Sequence, residues 1–372
     1  MVVSSGSEPE DPGSSPGPAA HVYSLKNLIL IQITTYMEHI NSIDDNISSG
    51  DYYEQLKEEL AELKESIEKQ DPVLENLRSL TTEIATKENE EFDLPLDSQT
   101  GRLDMEEYVK RGVYTPENVN GDKDTLRQLE RKWLDKITPN NKKECIEKEI
   151  NGEKIELLTM TTLYKFFKNK FLITRSARYD DVDNGVDTVI FNKDTGNVVC
   201  TLDESGILFG HYAERKRLRV LDKNEKGGAR LKYGLMLTED SEGQNHIKGS
   251  QVKNIPVFDL LMDSAELNKH LPEVSHDLTQ ICDFEKILFV YFMKTINSQV
   301  NKMQDPVLNI PSEVKHSAQG FKSEIENLYP NIFYSEDIIV SRKQGMLKPD
   351  FYVHPRLIIN KVEQDTFREK IH

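Results

Sequence analysis

The residues best equipped for chemistry concentrate between Thr174 and Ser205, in TRSARYDDVDNGVDTVIFNKDTGNVVCTLDES. Asp187 opens one β-branched and apolar run, VDTVIF, and Asp203 closes the next, NVVCTL. The turn cluster Asn192 to Gly196 separates the two, so the segment reads as a β-hairpin. Both acids lie eight residues from Thr195. An antiparallel pair folded about that point sets their Cβ atoms roughly 4.5–5.5 Å apart, and like charges so opposed are destabilising. Hard oxygen ligands of this kind suit Mg²⁺ or Mn²⁺. Asp180, Asp181 and Asp183, just upstream, add to the acidic cup. A cation held there would activate water and offset charge building on a phosphate. Strand alternation puts Val189, Phe191, Thr201 and Val199 on the face of the two acids, turns Glu204 away and brings Ser205 back. The bland competitor is a solvated strand end, with aspartates capping a turn.

The chain then becomes basic. Between Ser205 and Tyr233 eight lysines and arginines face three acids. Arg215, Lys216, Arg217, Arg219 and Arg230 are candidate nucleic-acid contacts, of the kind that position a backbone without reading its sequence. The net charge of −17 does not oppose this, because 21 of the 64 acids but only 6 of the 47 bases lie in the first 100 residues. His211 follows the cup closely, although a lone histidine is usually surface or core. In TTLYKFFKNKFLI, lysines alternate with phenylalanines, which reads as a helix with an apolar core face. No GxxxxGK[ST] or GxGxxG occurs.

An acid at one strand's start and an acid on the next resembles the skeleton of the PD-(D/E)XK nuclease core. In Asp203-Glu204-Ser205, serine stands where that pattern has lysine, and reading Glu204 as the acid puts Gly206 there. The resemblance therefore implies a lysine from elsewhere, Lys232 or Lys216, with Asp187, Asp203 and Lys232 as the catalytic set and Asp187 and Asp203 as metal ligands. RSARYDDVDNGVDTVIF, TLDES and VKNIPVF also resemble a group of uncharacterised bacterial proteins with a YDDxxNGVD segment, over residues 160–300. Asp181, Gly185, Asp187 and Asp203 match that group's pattern, and its members share the lack of a well-placed lysine.

Positioning these residues falls to an α/β chain of the α+β kind, with helices in front and a mixed sheet behind. Residues 1–20 are Ser/Gly/Pro/acid-rich and read as a disordered tail. Residues 21–88 read as a helical arm or bundle: a helix Tyr23–Ile47, then apolar seams at Leu56, Leu60, Leu63, Ile67 and at Leu74, Leu77, Leu80, Ile84. A homo-oligomer through these helices is one expectation. Residues 89–122 read as a linker, 123–310 as the nuclease-like core and 311–372 as its extension. Within the core, Asn151-Gly152 reads as a turn between two helices and Trp133 as a core anchor. Three scattered cysteines and no apolar run long enough to span a bilayer fit a cytoplasmic chain with no membrane partner. Two functions follow as expectations. One is a Mg²⁺- or Mn²⁺-dependent nuclease-like phosphodiesterase acting on nucleic acid. The other is a non-enzymatic interaction or scaffold protein with a degenerate core.

Overall fold

The computed structural model describes residues 49–239, 245–330 and 332. The expected tail, the helix Tyr23–Ile47 and most of the C-terminal extension lie outside them. By internal contacts the chain divides after Glu59. Of the first unit only 49–59 are described, as the opening of helix α1 (Ser49–Glu68). Everything below concerns the second unit.

Helix α2 (Pro72–Phe92) starts where Asp71 accepts the Leu74 N–H at 3.0 Å and Pro72 fills the first turn. Its seam of Leu74, Leu77, Leu80 and Ile84 is fully covered within this unit, packed against α5 (Lys142–Phe167). Arg78 ties the two by bonding Glu68 and Glu153, each at 2.8 Å. One seam of the expected oligomerisation arm is thus consumed inside the protomer.

The segment 89–122, expected as a linker, is part of the core. Leu94, Leu96, Leu103, Met105 and Val119 are buried, and Tyr108 on α3 (Met105–Lys110) donates its hydroxyl to Gly234 O at 2.8 Å. Its turn residues bend the chain sharply without freeing it. Gly101, at φ +66°, lets the backbone run beside Arg175, whose N–H donates to Gly101 O at 3.0 Å. Helix α4 (Pro116–Leu134) begins with a capping box between Thr115 and Asn118. Trp133 on it is 37 % exposed, so it is no core anchor.

Helix α5 runs unbroken for 26 residues through Asn151-Gly152. A glycine inside a helix costs only about 1 kcal/mol, and the apolar positions on either side, from Ile146 to Leu163, are buried in register. The aromatic–basic stretch at its end is core: Phe166 stacks on Phe289 at 3.9 Å, and Lys165 forms a buried ion pair with Glu285 at 2.6 Å. Next come β1 (Phe171–Arg175), α6 (Arg178–Asn184), β2 (Thr188–Asn192), β3 (Val198–Ser205) and α7 (Gly210–Glu225). A two-stranded ribbon, β4 (Ala229–Glu239) and β5 (Asn245–Ile255), precedes β6 (Val257–Leu261). The chain continues through α8 (Ser264–His270), α9 (Asp283–Met303) and α10 (Ser312–Leu328).

The main sheet has the order β1-β2-β3-β6 and is mixed: β1–β2–β3 is an antiparallel meander and β6 runs parallel to β3. The architecture is therefore mixed α/β of the α+β kind. One face carries Val189, Phe191 and Val257 against Val220 of α7 and Leu231 and Tyr233 of the ribbon. The other meets α10, where Phe321 packs on Phe171 and Phe258. Residues 312–328 thus belong to the core rather than trailing from it.

Candidate functional site

The hairpin register sets the geometry. Thr188 pairs with Leu202, Val189 with Thr201 and Ile190 with Cys200, which is the fold about Thr195; a bulge follows toward Phe191 and Val198. The turn holds because Gly196 adopts φ +65° where a Cβ would fall 1.8 Å from that of Leu237. The ladder ends at Thr188, and one residue outward the Asp187 N–H donates to Leu202 O at 2.9 Å, which holds Asp187 at the end of the ladder beside the Leu202–Glu204 stretch of β3. On the far side of β3, parallel pairing sets Asp203 beside Asp259 of β6, and Glu204 beside Leu260. Asp203 and Asp259 are therefore neighbours on adjacent strands, on the face where Lys216 of α7 meets Asp203, and Asp187 stands at the open end of β2 beside them.

Glu204 joins them despite strand alternation. Asp187 stands just before β2, where the pleat no longer holds a side chain, and its Oδ2 accepts the Glu204 N–H at 2.7 Å. The Glu204 side chain, on the α5 face, accepts from Thr188 Oγ1 at 2.7 Å through Oε1. Its Oε2 is buried with no hydrogen-bond partner. Burial pushes Glu204 up to about 7, with the Glu156 charge adding to it. Asp187 is raised well above the usual carboxylate range, first by burial and then by Glu204, Glu156 and Asp203. Burial likewise lifts Asp259 to about 6, aided by Asp203 and opposed by Arg217.

Two further acids come from outside the hairpin. Glu156 on α5, Asp181 on α6 and Asp187 bring carboxylate oxygens within 4.8 Å of one another. Asp181 was singled out in the sequence; Glu156 was not. Three arginines hold this wing. Arg102 reaches Glu156 at 2.7 Å and Asp181 at 3.1 Å, Arg175 reaches Glu156 at 2.5 Å, and Arg178 reaches Asp181 at 3.0 Å. Burial acts to raise the Glu156 pKa, but Arg102 and Arg175 outweigh it, and the net direction is down.

Of the two lysines considered for the missing motif position, the structure seats Lys216 at the acids and Lys232 elsewhere. Lys216 comes from α7, its Nζ 2.5 Å from Asp203 Oδ1 and also donating to Glu204 O. Burial alone would lower its pKa, but Asp203 and Asp187 more than compensate, so it is raised and the group is an ammonium. Lys232 bonds Asp122 at 2.6 Å among the rings of Tyr114, Tyr179 and Tyr233, while its N–H donates to Asp180 Oδ1 at 2.9 Å. Asp180 also takes the Tyr233 N–H, so it fastens α6 to the ribbon. Gly185, at φ +57°, ends α6, and Lys223 of α7 bonds Asn184 O and Gly185 O beside it.

The five candidate phosphate contacts divide. Lys216 is buried among the acids. Arg217 is half-buried, 4.0 Å from Asp259 and donating to Leu208 O at 3.3 Å. Arg215 and Arg219 on α7 and Arg230 on β4 face solvent. His211 is at the surface, 3.4 Å from Glu214.

The sequence set Glu204 on the opposite face, and it gave no place at the site to Glu156, Asp259, Arg102, Arg175 or Lys223. Asp259 carried a signal, as the one charge in VFDLL. The donor set of Glu156, Asp181 and Asp187 is all carboxylate, which fits a hard cation such as Mg²⁺ or Mn²⁺, and the orphaned Glu204 Oε2 belongs to the residue whose N–H Asp187 accepts. No helix among the described residues is long and apolar enough to cross a membrane. Compared with known proteins, the chain matches no family model, no curated protein and no solved structure.

Proposed function

We propose that this protein is a divalent-metal-dependent phosphodiesterase acting on nucleic acid, built on a restriction-nuclease-like core. The observation that carries the reading is the Lys216 ammonium 2.5 Å from Asp203 and within the field of Asp187, whose carboxylate accepts the N–H of the residue after Asp203: an acid before one strand, an acid on the next, and a lysine charge between them. This is the acid–hairpin–acid skeleton with its lysine supplied by α7. Mg²⁺ or Mn²⁺, held by Asp187 and Asp203 with Glu156 and Asp181 within reach of Asp187, would supply Lewis-acid activation of water and phosphate.

The chain's own groups set the rest. Lys216, kept protonated by Asp203 and Asp187, is a fixed positive charge facing the phosphate seat rather than a proton acceptor. Arg217, 4.0 Å from Asp259, favours the ionised form of that carboxylate against its burial and offsets part of its charge. Arg102 and Arg175 hold Glu156 ionised and oriented. Arg215 and Arg219 lie outward on the same helix for the flanking backbone.

A second reading has its own observation. Arg102, Arg175 and Arg178 already balance Glu156 and Asp181, so the cluster is also consistent with a cation-free ion network inside a non-enzymatic scaffold. Incubating end-labelled single- and double-stranded oligonucleotides with the protein in Mn²⁺ separates the two. Cleavage lost in Asp187→Asn and in Asp203→Asn supports the enzyme; cleavage surviving both removes it.

A further inference from the structure

The rim beside these acids has an unusual surface. Ten large hydrophobic residues are exposed among the described residues, and four of them, Ile207, Phe209, Tyr212 and Leu218, fall within the fifteen positions after Asp203. Scattered singly, such residues call for no explanation; gathered beside a charged site, they do. The loop from β3 to α7 buries Leu208, at 2 % exposure, and turns Ile207 and Phe209 outward at 43 % and 41 %.

Helical spacing fixes what stands next to these rings. Tyr212, Lys216, Arg219 and Lys223 recur at steps of four, three and four, so they form one stripe of α7. Lys216 on that stripe touches Asp203, and Lys223 touches the turn that leads to Asp187. Tyr212, 45 % exposed, and Arg219, exposed, therefore flank the acids along the same helix, with Arg215 one turn from each. Helix α7 opens after Phe209 with no side-chain cap and no acid in its first turn, so its positive dipole end is not offset there by a carboxylate of its own.

We propose that this rim is a stacking platform for unpaired bases, and that the substrate class is single-stranded nucleic acid. The inference rests on the phosphodiesterase reading above for what happens at the acids, but its own observations are the exposed rings and their bases. A positively charged groove with protruding aromatic rings is what binds a single strand without reading its sequence, since every base has a face to stack. A duplex presents its base faces only to one another, so Phe209 and Tyr212 gain nothing from it. Arg215 and Arg219 supply the charge for the backbone between stacked bases.

The test uses the full chain in EDTA, where cleavage does not interfere, and reads fluorescence anisotropy with a labelled single-stranded oligonucleotide of about 20 nucleotides and the matching duplex. The single strand is expected to bind at least tenfold more tightly. Phe209→Ala and Tyr212→Ala should each weaken it about 5- to 100-fold with an unchanged thermal midpoint, while Tyr212→Trp keeps wild-type affinity. Equal or tighter duplex binding, or alanine variants that hold the single strand as the wild type does, overturns the proposal. Variants that change the mass in solution without changing oligonucleotide binding also overturn it and make the rim a self-association surface. Cleavage in Mn²⁺ is scored separately. Single-strand binding without cleavage leaves the platform standing and removes the enzyme. Duplex cleavage insensitive to the alanine changes does the reverse.

Discussion

Asp203 and Glu204 are neighbours on one strand, yet they meet opposite surroundings. Asp203 faces α7 and is neutralised by the Lys216 ammonium. Glu204 faces α5 with one oxygen on Thr188 and the other orphaned, and burial pushes it up to about 7. A buried acceptor without a partner costs on the order of 1–3 kcal/mol, so its retention beside three other carboxylates points to a ligand. Lys216 is the residue on which the enzymatic reading most depends. Its role is electrostatic, so Lys216→Met should lower turnover by about 10²- to 10³-fold, with Lys216→Arg retaining more of it. Lys232→Met, which removes one of the two partners of Asp122 and the charge among Tyr114, Tyr179 and Tyr233, should lower the thermal midpoint and leave turnover unchanged. Steady-state cleavage beside thermal melts of the two variants separates charge from scaffold. A Lys232→Met enzyme as slow as Lys216→Met would reverse the assignment.

At the level of elements, the hairpin and its fold about Thr195 were legible because a hairpin's register follows from its turn, and Asn192 to Gly196 marks the turn plainly. Glu204 escaped because alternation constrains only residues inside the ladder, and Asp187 stands one residue before it. Glu156, Arg102 and Arg175 escaped for a different reason. They arrive from a long helix, from a segment that reads as a linker and from the end of β1, and only the tertiary fold joins them. The segment carrying Arg102 is bent by Gly101, and glycine and proline in a sequence mark a turn whether the chain beyond is tethered or free. The helix carrying Lys216 is fastened to the sheet by Asn224. Its amide donates to Val257 O at 2.8 Å and accepts the Val257 N–H at 2.9 Å, at the first residue of β6. Asn224→Ala should cost on the order of 2–3 kcal/mol by leaving both groups buried and unpaired, measured as a shift in the urea midpoint. A shift below a few tenths of a kcal/mol would mean that α7 is held by packing alone.

Over the whole molecule, the acid cluster makes stability depend on pH. Glu204 at about 7 and Asp259 at about 6 are raised above their unfolded values, so the folded chain binds more protons than the unfolded one between about 4.5 and 7. Their contribution is fully present below that window and is lost as pH rises through it. The metal-free protein should therefore melt higher at pH 5 than at pH 8, by on the order of 5 °C. Mn²⁺, which competes with protons for the same oxygens, should raise the midpoint more at pH 8 than at pH 5. A melting point that Mn²⁺ leaves unmoved at pH 8 favours the cation-free network. The most direct measurement remains cleavage itself: a labelled oligonucleotide incubated with Mn²⁺ and either the wild type or Asp203→Asn at matched folded concentration. Strand scission by the wild type that EDTA abolishes and Asp203→Asn lacks is the expected result. Scission equal in the two proteins, or none in either, contradicts it.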